Sequence, residues 1–184
     1  MHAAQRLFLK QGVAATTIEQ ITIRAKVAKG TFYLYFSSKE DVLAALVARF
    51  AEQLLAKLKT AVGEADPRDW KARLAAWTAA AAEGYLDSIR LHDMLFYESH
   101  PPTREGLTDN VLIDDLASLL AAGTAAGAWR VDDPRFTALF LFSGLHAAVD
   151  SVFSKRKRVG RTQLIEHIQA LFFRVTGSPA DLLP

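Results

Sequence analysis

The sequence predicts an all-α protein of about nine helices. Three observations indicate this class: Ala and Leu dominate the chain, apolar residues recur three and four positions apart, and alternating runs bounded by turn residues are lacking. Of the 184 residues, 51% are hydrophobic, and only 10 are Gly and 6 are Pro. This composition excludes collagen-like and disordered chains and is sufficient for a sizeable core.

Turn-forming residues and helix stops divide the chain into segments with helical periodicity. These breaks are Gly12, Asp66-Pro67, Pro101-Pro102, Asp132-Asp133-Pro134 and Gly160. The segments between them predict helices over 3–11, 18–25, 29–35, 39–62, 68–89, 91–98, 106–126, 134–157 and 162–176.

The first three predicted helices are short and form a helix-turn-helix pattern. Thr16 or Thr17 can serve as the N-cap of the second helix, with Glu19 or Gln20 completing a capping box. A turn of three or four residues separates this helix from the third one. Two short helices with such a turn, preceded by another helix, are typical of DNA-binding domains.

The third predicted helix has one apolar side and one side suited to contact DNA. At about 100° per residue, Phe32 and Phe36 fall on the same side. The opposite and flanking positions hold Gly30, Thr31, Tyr33, Leu34 and Tyr35. Thr31 can hydrogen-bond a base edge and Leu34 can contact a thymine methyl group, whereas tyrosine hydroxyls can donate to phosphates.

The fourth predicted helix, over 39–62, is long enough to belong to two cores. Its apolar stripe consists of Val42, Leu43, Leu46, Val47, Phe50, Leu54, Leu55 and Leu58. We therefore predict a helix-turn-helix domain over 1–45 and a larger helical domain over 46–184, with this helix as the bridge between them.

Basic residues are concentrated in the N-terminal third of the chain. The whole chain has 22 Lys and Arg against 20 Asp and Glu, a formal net charge of +2. The first 60 residues contain nine basic and four acidic residues, a net charge of +5, and the remainder carries −3. This asymmetry indicates a polyanion-binding module, with ordinary solvated surface charge as the alternative.

These N-terminal motifs resemble the DNA-binding domain of TetR-family transcriptional repressors. The resemblance is carried by Leu7-Phe8, Thr16-Thr17, the run Lys29-Gly30-Thr31-Phe32-Tyr33-Leu34-Tyr35-Phe36 and Ser38-Lys39-Glu40. It implies a homodimer whose larger domain binds a small effector and dimerises through its last two long helices. It also implies phosphate contacts by Thr17, Tyr33 and Lys39. The groove-facing positions that it implies are Lys29, Gly30, Thr31, Leu34 and Tyr35.

Two positions depart from the usual pattern of that family. Lys26 stands in the turn between the second and third helices, where the family usually has Gly. Ala28 stands at the N-cap of the third helix, where Ser is often found. A lost side-chain cap costs about 1 kcal/mol, so the third helix is expected to be held less firmly before DNA binds.

The larger domain offers candidate ligand contacts but no motif. A small, mainly apolar effector could bind in a pocket with a few polar groups. The candidate lining residues are Trp70, Trp77, Tyr85, Met94, Phe96, Tyr97, His100, Leu116, Trp129 and Phe140. Each of these residues could instead belong to the core.

The last two long helices are apolar enough to form a four-helix interface with a second copy of the chain. The residues predicted for that interface are Phe142, Leu145, Val149, Val152, Leu164, Ile168, Leu171, Phe172 and Val175. The alternative is that both helices are internal to a monomer.

Several classes of function find no support in the sequence. The chain has no Cys, no nucleophile-elbow or dinucleotide-binding motif and no metal-binding spacing of its five His, so no enzymatic activity, cofactor or metal is expected. The longest charge-free apolar run, Phe136–Val149, is too short to cross a membrane, and the N-terminus does not resemble a signal peptide. A cytoplasmic protein is therefore expected.

The function predicted from these features is a ligand-responsive transcriptional regulator acting as a repressor. It is expected to bind a palindromic, inverted-repeat operator in double-stranded DNA as a homodimer and to be released by its effector. The alternative is a helical protein-protein adaptor without DNA binding. The predicted outer face of the third helix argues against an adaptor, because a helix that docks on a protein exposes a wider apolar stripe.

Overall fold

The computed structural model describes residues 1–96, 110–154 and 159–177. In these ranges the chain forms nine α-helices and no β-strand, which confirms the predicted all-α class. The helices are α1 (His2–Gln11), α2 (Ile18–Ala25), α3 (Lys29–Tyr33), α4 (Lys39–Glu64), α5 (Trp70–Asp87), α6 (Ile89–Phe96), α7 (Val111–Ala125), α8 (Pro134–Ser154) and α9 (Arg161–Val175). None of these helices is both long enough and apolar enough to cross a membrane.

Side-chain caps determine where two helices begin, which the apolar periodicity of the sequence could not resolve. α5 begins at Trp70, two residues later than predicted, because the Asp69 carboxylate accepts the backbone N–H of Ala72 at 2.9 Å. The side chain of Asn110 likewise caps α7, which begins at Val111. The predicted start of this helix at 106, and the predicted helix ends at 98 and 157, lie outside the described residues.

The chain divides into two compact units. Among the described residues, the first unit contains 1–52 and 88–96, and the second contains 53–87, 110–154 and 159–177. α4 continues without interruption from the first unit into the second. α6 belongs to the first unit although it follows α5 in the chain. The domain boundary predicted between residues 45 and 46 stays a prediction.

The core of the first unit is built from α1, α2, α3, the first half of α4 and α6. Its buried side chains are Ala4, Leu7, Phe8, Ile21, Phe32, Val42, Leu43, Leu46, Met94 and Leu95. The last two of these come from α6, which contacts α1. α6 therefore completes the core of the helix-turn-helix module.

In the second unit, α5 contacts α7, α8 and α9. Near its C-terminal end, the Tyr85 hydroxyl donates to the Asp150 carboxylate of α8. Two residues further, Asp87 forms an ion pair of 2.7 Å with Arg161, the first residue of α9. The end of α8 and the start of α9 thus both lie near the end of α5, which makes α8 and α9 antiparallel neighbours.

Candidate nucleic-acid interface

The predicted capping box at the start of α2 is present, and Thr17 is its N-cap. The Thr17 hydroxyl oxygen accepts the backbone N–H of Gln20 at 3.2 Å, and the Gln20 side chain accepts the backbone N–H of Thr17 at 3.0 Å. Thr16 is buried instead, and its hydroxyl donates to the Gly12 carbonyl at 2.7 Å. Thr17 is therefore exposed at the positive end of the α2 dipole, a position suited to a phosphate.

The turn between α2 and α3 gives a physical reason for glycine at the position of Lys26. Lys26 has φ 56° and ψ 43°, in the left-handed region, and its N–H donates to the Ile23 carbonyl at 3.1 Å. Glycine adopts this conformation without steric cost, whereas other residues do so at roughly 1–2 kcal/mol. The turn is thus built with a strained lysine.

α3 is a helix of only five residues and ends at Tyr33, two residues earlier than predicted. No side chain caps it at Ala28. It is held by Phe32, which is 6% exposed and whose ring centroid lies 5.8 Å from that of Phe36. The two phenylalanines therefore anchor the segment to the core of the first unit, as the periodicity predicts.

The outer face of this segment is open to solvent. Its exposed members are Lys29, Gly30, Tyr33, Leu34 and Tyr35, and Thr31 is half-buried. Leu34 is 80% exposed, so its side chain contributes almost nothing to the core. Lys29 has no hydrogen bond or ion pair with the described residues, which leaves its charge available for a phosphate. Contact between these residues and DNA stays a prediction.

Two further apolar side chains are exposed, one on α2 and one in the turn that follows it; helical periodicity assigns the second, Val27, to the core of this module. Ile23 is 70% exposed and Val27 is 42% exposed. The signal for Ile23 was present in the sequence, because Ile21 and Thr22 mark the buried side of α2 and Ile23 falls away from it. Both residues are further candidates for contact with DNA.

Lys39, a predicted phosphate contact, faces the segment before α2. Its Nζ donates to the carbonyl oxygens of Val13 at 2.9 Å, Ala14 at 3.1 Å and Thr16 at 3.3 Å. The side chain is half-buried. Its contact with phosphate stays a prediction.

The start of α4 carries a fixed negative charge two residues after Lys39. The Asp41 carboxylate accepts both the hydroxyl and, at 2.9 Å, the backbone N–H of Ser37. These hydrogen bonds, the one from the hydroxyl above all, lower the pKa of Asp41. The ionised carboxylate complements the positive end of the α4 dipole.

The candidate ligand contacts lie in several different environments. Buried in the second unit are Trp77, Tyr85, Leu116 and Trp129, and Trp70 is half-buried there. Phe140 is 64% exposed on α8. Met94 and Phe96 belong to the first unit. Tyr97 and His100 lie outside the described residues.

A groove of about 350 Å³ lies in the second unit between the end of α4, α5 and α7. Its lining residues are Lys59, Val62, Gly63, Arg73, Trp77, Asp115, Ser118, Leu119 and Ala122. The indole N–H of Trp77 donates to the Asp115 carboxylate at 2.9 Å. The volume lies in the range of small-molecule sites. In the described ranges, no group of three or more His, Asp or Glu residues is arranged to hold a metal.

A part-buried polar cluster joins α5 and α8. Besides the hydrogen bond from Tyr85 to Asp150, the ring of His146 lies 4.9 Å from that of Tyr85, and its Nδ1 lies 2.9 Å from the Phe142 carbonyl oxygen. A carbonyl only accepts, so Nδ1 carries the proton. Burial lowers the pKa of His146 and thereby favours the neutral imidazole.

Most residues predicted for a dimer interface are buried within the chain itself. These are Phe142, Leu145, Val149, Leu164, Ile168 and Phe172, with Val152 half-buried. Leu171 and Val175 are 54% and 44% exposed on α9. Among the described side chains of α8, the large apolar ones that are exposed are Phe136 and Phe140, four residues apart and therefore on one face. The interface itself stays a prediction.

Comparison with known proteins confirms the resemblance of the N-terminal segment to one family. Residues 1–46 match the family described as bacterial regulatory proteins, tetR family. The chain is 51% identical over 41 residues to the HTH-type transcriptional regulator HbdR of Aromatoleum sp. (strain CIB); these residues make up 22% of this chain and 18% of HbdR. It is 36% identical over 69 residues to the HTH-type transcriptional regulator TtgR of Pseudomonas putida; the matched stretch is 36% of this chain and 33% of TtgR.

A third relative is the uncharacterized HTH-type transcriptional regulator YerO of Bacillus subtilis (strain 168), 43% identical over 54 residues, or 29% of this chain and 19% of YerO. The chain thus matches about a fifth to a third of the length of these relatives. The matched stretches are 41 to 69 residues long.

Solved structures share the fold over nearly the whole chain. One is the fatty acid degradation regulator FadR from Bacillus halodurans, with a TM-score of 0.75 and 24% identity over 96% of this chain and 95% of that chain. Another is a protein of unknown function from Rhodococcus sp. RHA1, with a TM-score of 0.79 and 21% identity over 96% of this chain and 93% of that chain. At these identities the likeness shows the fold alone.

Proposed function

We propose that this chain, whose residues 1–46 match the tetR family of bacterial regulatory proteins, is a transcriptional regulator that binds double-stranded DNA. The observation that carries the proposal is the open outer face of the segment that starts with α3. It is anchored from behind by Phe32 and Phe36 and presents Lys29, Thr31 and Leu34 outward. This arrangement combines a charge for phosphates with a hydroxyl and an apolar group for base edges.

The regulator binds as a homodimer on an inverted repeat. One short helix makes too few contacts for useful specificity, and two copies related by a two-fold axis double them. Four exposed apolar side chains on the neighbouring helices α8 and α9 support self-association: Phe136, Phe140, Leu171 and Val175.

A small, mainly apolar effector binds in the second unit and lowers the affinity for DNA, so that the regulator acts as a repressor. The groove between α4, α5 and α7 supports a ligand site, and the continuity of α4 into the first unit supports coupling. A preference of about 1–3 kcal/mol for the form that does not bind DNA reduces occupancy about 5- to 150-fold. Such a protein acts where the DNA is, in the cytoplasm, and needs no enzymatic activity.

The proposal is tested by fluorescence anisotropy with a labelled mixed-sequence duplex over a range of salt concentrations. The wild-type chain should bind with an affinity that falls steeply as salt rises, because phosphate contacts release counterions. Lys29→Gln should lower the slope of log K against log salt by about 0.9. Lys71→Gln removes an exposed lysine of the second unit and should leave the slope unchanged.

Failure of the wild-type chain to bind the duplex at low salt would overturn the proposal and leave the protein-protein adaptor as the alternative. Thr31→Ala separates base contact from phosphate contact. It should relax the preference at one or two base pairs of a selected sequence by about 1–3 kcal/mol without changing the salt dependence.

A further inference from the structure

We propose that Lys39 is a positioning residue of the DNA-binding unit rather than a phosphate contact. Its ammonium group holds the segment between α1 and α2, and through that segment it sets the position of Thr17. This inference rests on the proposed DNA-binding function, since Thr17 is the group that it brings to the DNA.

The hydrogen-bonding capacity of Lys39 is already used. An ammonium group has three N–H donors. The three carbonyl oxygens of Val13, Ala14 and Thr16 lie within 2.9–3.3 Å of Nζ. A phosphate oxygen could therefore be bound only by releasing one of these carbonyls. Lys29, by contrast, has no hydrogen bond or ion pair with any residue in the described ranges.

Hydrogen bonds within the segment that Lys39 holds satisfy only some of its carbonyl oxygens. α1 ends at Gln11, and the next residue, Gly12, has a φ of 78° that turns the chain away from the helix axis. The Gly12 carbonyl accepts the Thr16 hydroxyl, and the Ala15 carbonyl accepts the Gln11 side chain at 3.0 Å. The Val13 carbonyl also accepts the backbone N–H of Thr16 at 3.2 Å. The Lys39 ammonium adds a donor to this carbonyl and to those of Ala14 and Thr16, and its bonds to Val13 and Thr16 are part-buried.

The position of Lys39 in its own helix supports a role outside that helix. It is the first residue of α4, where the helix dipole disfavours a cation and favours the acidic residues Glu40 and Asp41 that follow. A lysine at this position conflicts with the local preference. Its three bonds to the segment 13–16 account for the conflict, because charge-assisted hydrogen bonds are stronger than neutral ones.

The consequence for DNA binding runs through Thr17. This residue directly follows Thr16, which Lys39 binds, and it is the exposed N-cap of α2. If the segment is released, the hydroxyl and the N-terminal N–H groups of α2 lose their fixed position. Binding is then weakened without the loss of a charge–phosphate contact.

A double-mutant cycle of Lys39→Met and Thr17→Ala tests the inference, with the labelled mixed-sequence duplex as the probe. Met keeps most of the apolar stem of lysine and removes the charge. Lys39→Met should lower the affinity about tenfold at fixed salt and leave the slope of log K against log salt at the wild-type value. In the Thr17→Ala background it should cause no further loss, because Lys39 acts through Thr17.

A direct phosphate contact gives the opposite results. Lys39→Met would then lower the slope by about 0.9, as Lys29→Gln is expected to do, and its effect would add to that of Thr17→Ala. Lys39→Arg would also retain full affinity, since arginine binds phosphate as well. Any of these three results would overturn the inference. If Lys39 instead positions the segment, Lys39→Arg should lose affinity, because a planar guanidinium cannot replace the three converging bonds of the ammonium.

Hydrogen exchange provides a readout that does not depend on DNA. In Lys39→Met, the amides of Thr16 and Gln20, which donate to Val13 and Thr17, should exchange about tenfold faster than in the wild type. The amide of Leu46, in the core of the first unit, should exchange at the wild-type rate and so show that the unit remains folded. Unchanged exchange at Thr16 and Gln20 overturns the inference. If the wild-type chain does not bind the duplex, the proposed function fails, and this measurement still decides whether Lys39 holds the segment.

Discussion

Ala28 precedes α3 without giving it a side-chain cap, and Lys26, two residues earlier, holds a left-handed backbone conformation. Both features lower the stability of the helix that presents the proposed DNA-binding face. α3 has only five residues, so it cannot offset a missing cap with many backbone hydrogen bonds of its own. Its position depends mainly on Phe32, which is buried in the core of the first unit.

Ala28→Ser is therefore expected to stabilise the protein. A serine hydroxyl at the N-cap can accept a backbone N–H of the first turn, which raises the free energy of unfolding by about 1 kcal/mol. Urea unfolding measures the change. Ala44→Ser, at an exposed position inside α4, is the control and should lower stability slightly, because serine is a poorer helix former than alanine. The same small loss in both variants would show that Ala28 is not a functional N-cap position.

His146 makes the stability of the second unit depend on pH. Burial lowers its pKa in the folded chain, whereas the unfolded chain takes up the proton near the ordinary histidine pKa of 6.5. The unfolded state therefore binds more protons, so stability is lost as pH falls through 6.5 and the loss ends below the folded-state pKa. The hydrogen bond to the Phe142 carbonyl, and to a smaller extent the charge of Asp150 on the same helix, oppose this lowering of the His146 pKa.

Urea unfolding at about pH 7.5 and about pH 5 checks this dependence. The wild-type chain should lose more stability between the two values than His146→Gln, which has no titrating imidazole at this position. His167→Gln, at an exposed position of α9, should behave like the wild type. An equal loss in the wild type and in His146→Gln would contradict the assignment of the neutral form to the folded state.

The exposure and hydrogen bonds of a single residue were predictable from the sequence where they depend only on the helix that contains the residue. The opposite exposures of Phe32 and Leu34 follow from the helical repeat, and the capping box of Thr17 and Gln20 follows from their spacing. The surroundings of Lys39 were not predictable. Its acceptors lie at least 23 positions earlier in the chain, and only the packing of α1, α2 and α4 brings them together.

At the level of whole helices, Gly123 allows Trp129 to pack against α7. A Cβ atom at this position would overlap the six-membered ring of Trp129, whose indole N–H is held by the Leu120 carbonyl at 2.8 Å. Gly123→Ala should therefore destabilise the protein by about 1–3 kcal/mol, although alanine is the better helix former. Gly63→Ala in α4 meets no atom within 4 Å and should be neutral or stabilising. A stabilising effect of both substitutions in thermal unfolding would contradict the packing of Trp129.

Helices were easier to predict than their ends and their faces. The nine segments follow from periodicity and breaks, but the starts of α5 and α7 depend on side-chain caps. α8 is apolar on nearly all sides, so periodicity could not decide which side faces the core of its own chain. Phe142 is buried and Phe140 is exposed, a difference that arises only from contacts with α5, α7 and α9.

For the whole molecule, the difference in exposure between buried and exposed apolar side chains of α8 and α9 determines which substitution tests self-association. Val149 and Phe172 are almost completely buried, so Asp at either position is expected to unfold the chain rather than to separate two copies. Phe140→Asp places the charge on the exposed face of α8 and should give folded monomers in sedimentation velocity. Ala121→Asp adds the same charge at an exposed position of α7 and should leave the dimer intact. A monomeric wild type at micromolar concentration would contradict the proposed dimer.

The most direct measurement of the proposed function is the selection of binding sites from a pool of randomised DNA duplexes by the full chain. A dimer that reads DNA through the face beginning at α3 should enrich an inverted repeat whose half-sites are about 10 base pairs apart, one helical turn. Leu34→Ala and Thr31→Ala should weaken the enrichment of the half-site bases. Two results would contradict the proposed function. One is that the chain recovers no duplex above background at low salt. The other is that Leu34→Ala and Thr31→Ala enrich the same sequences as well as the wild type does.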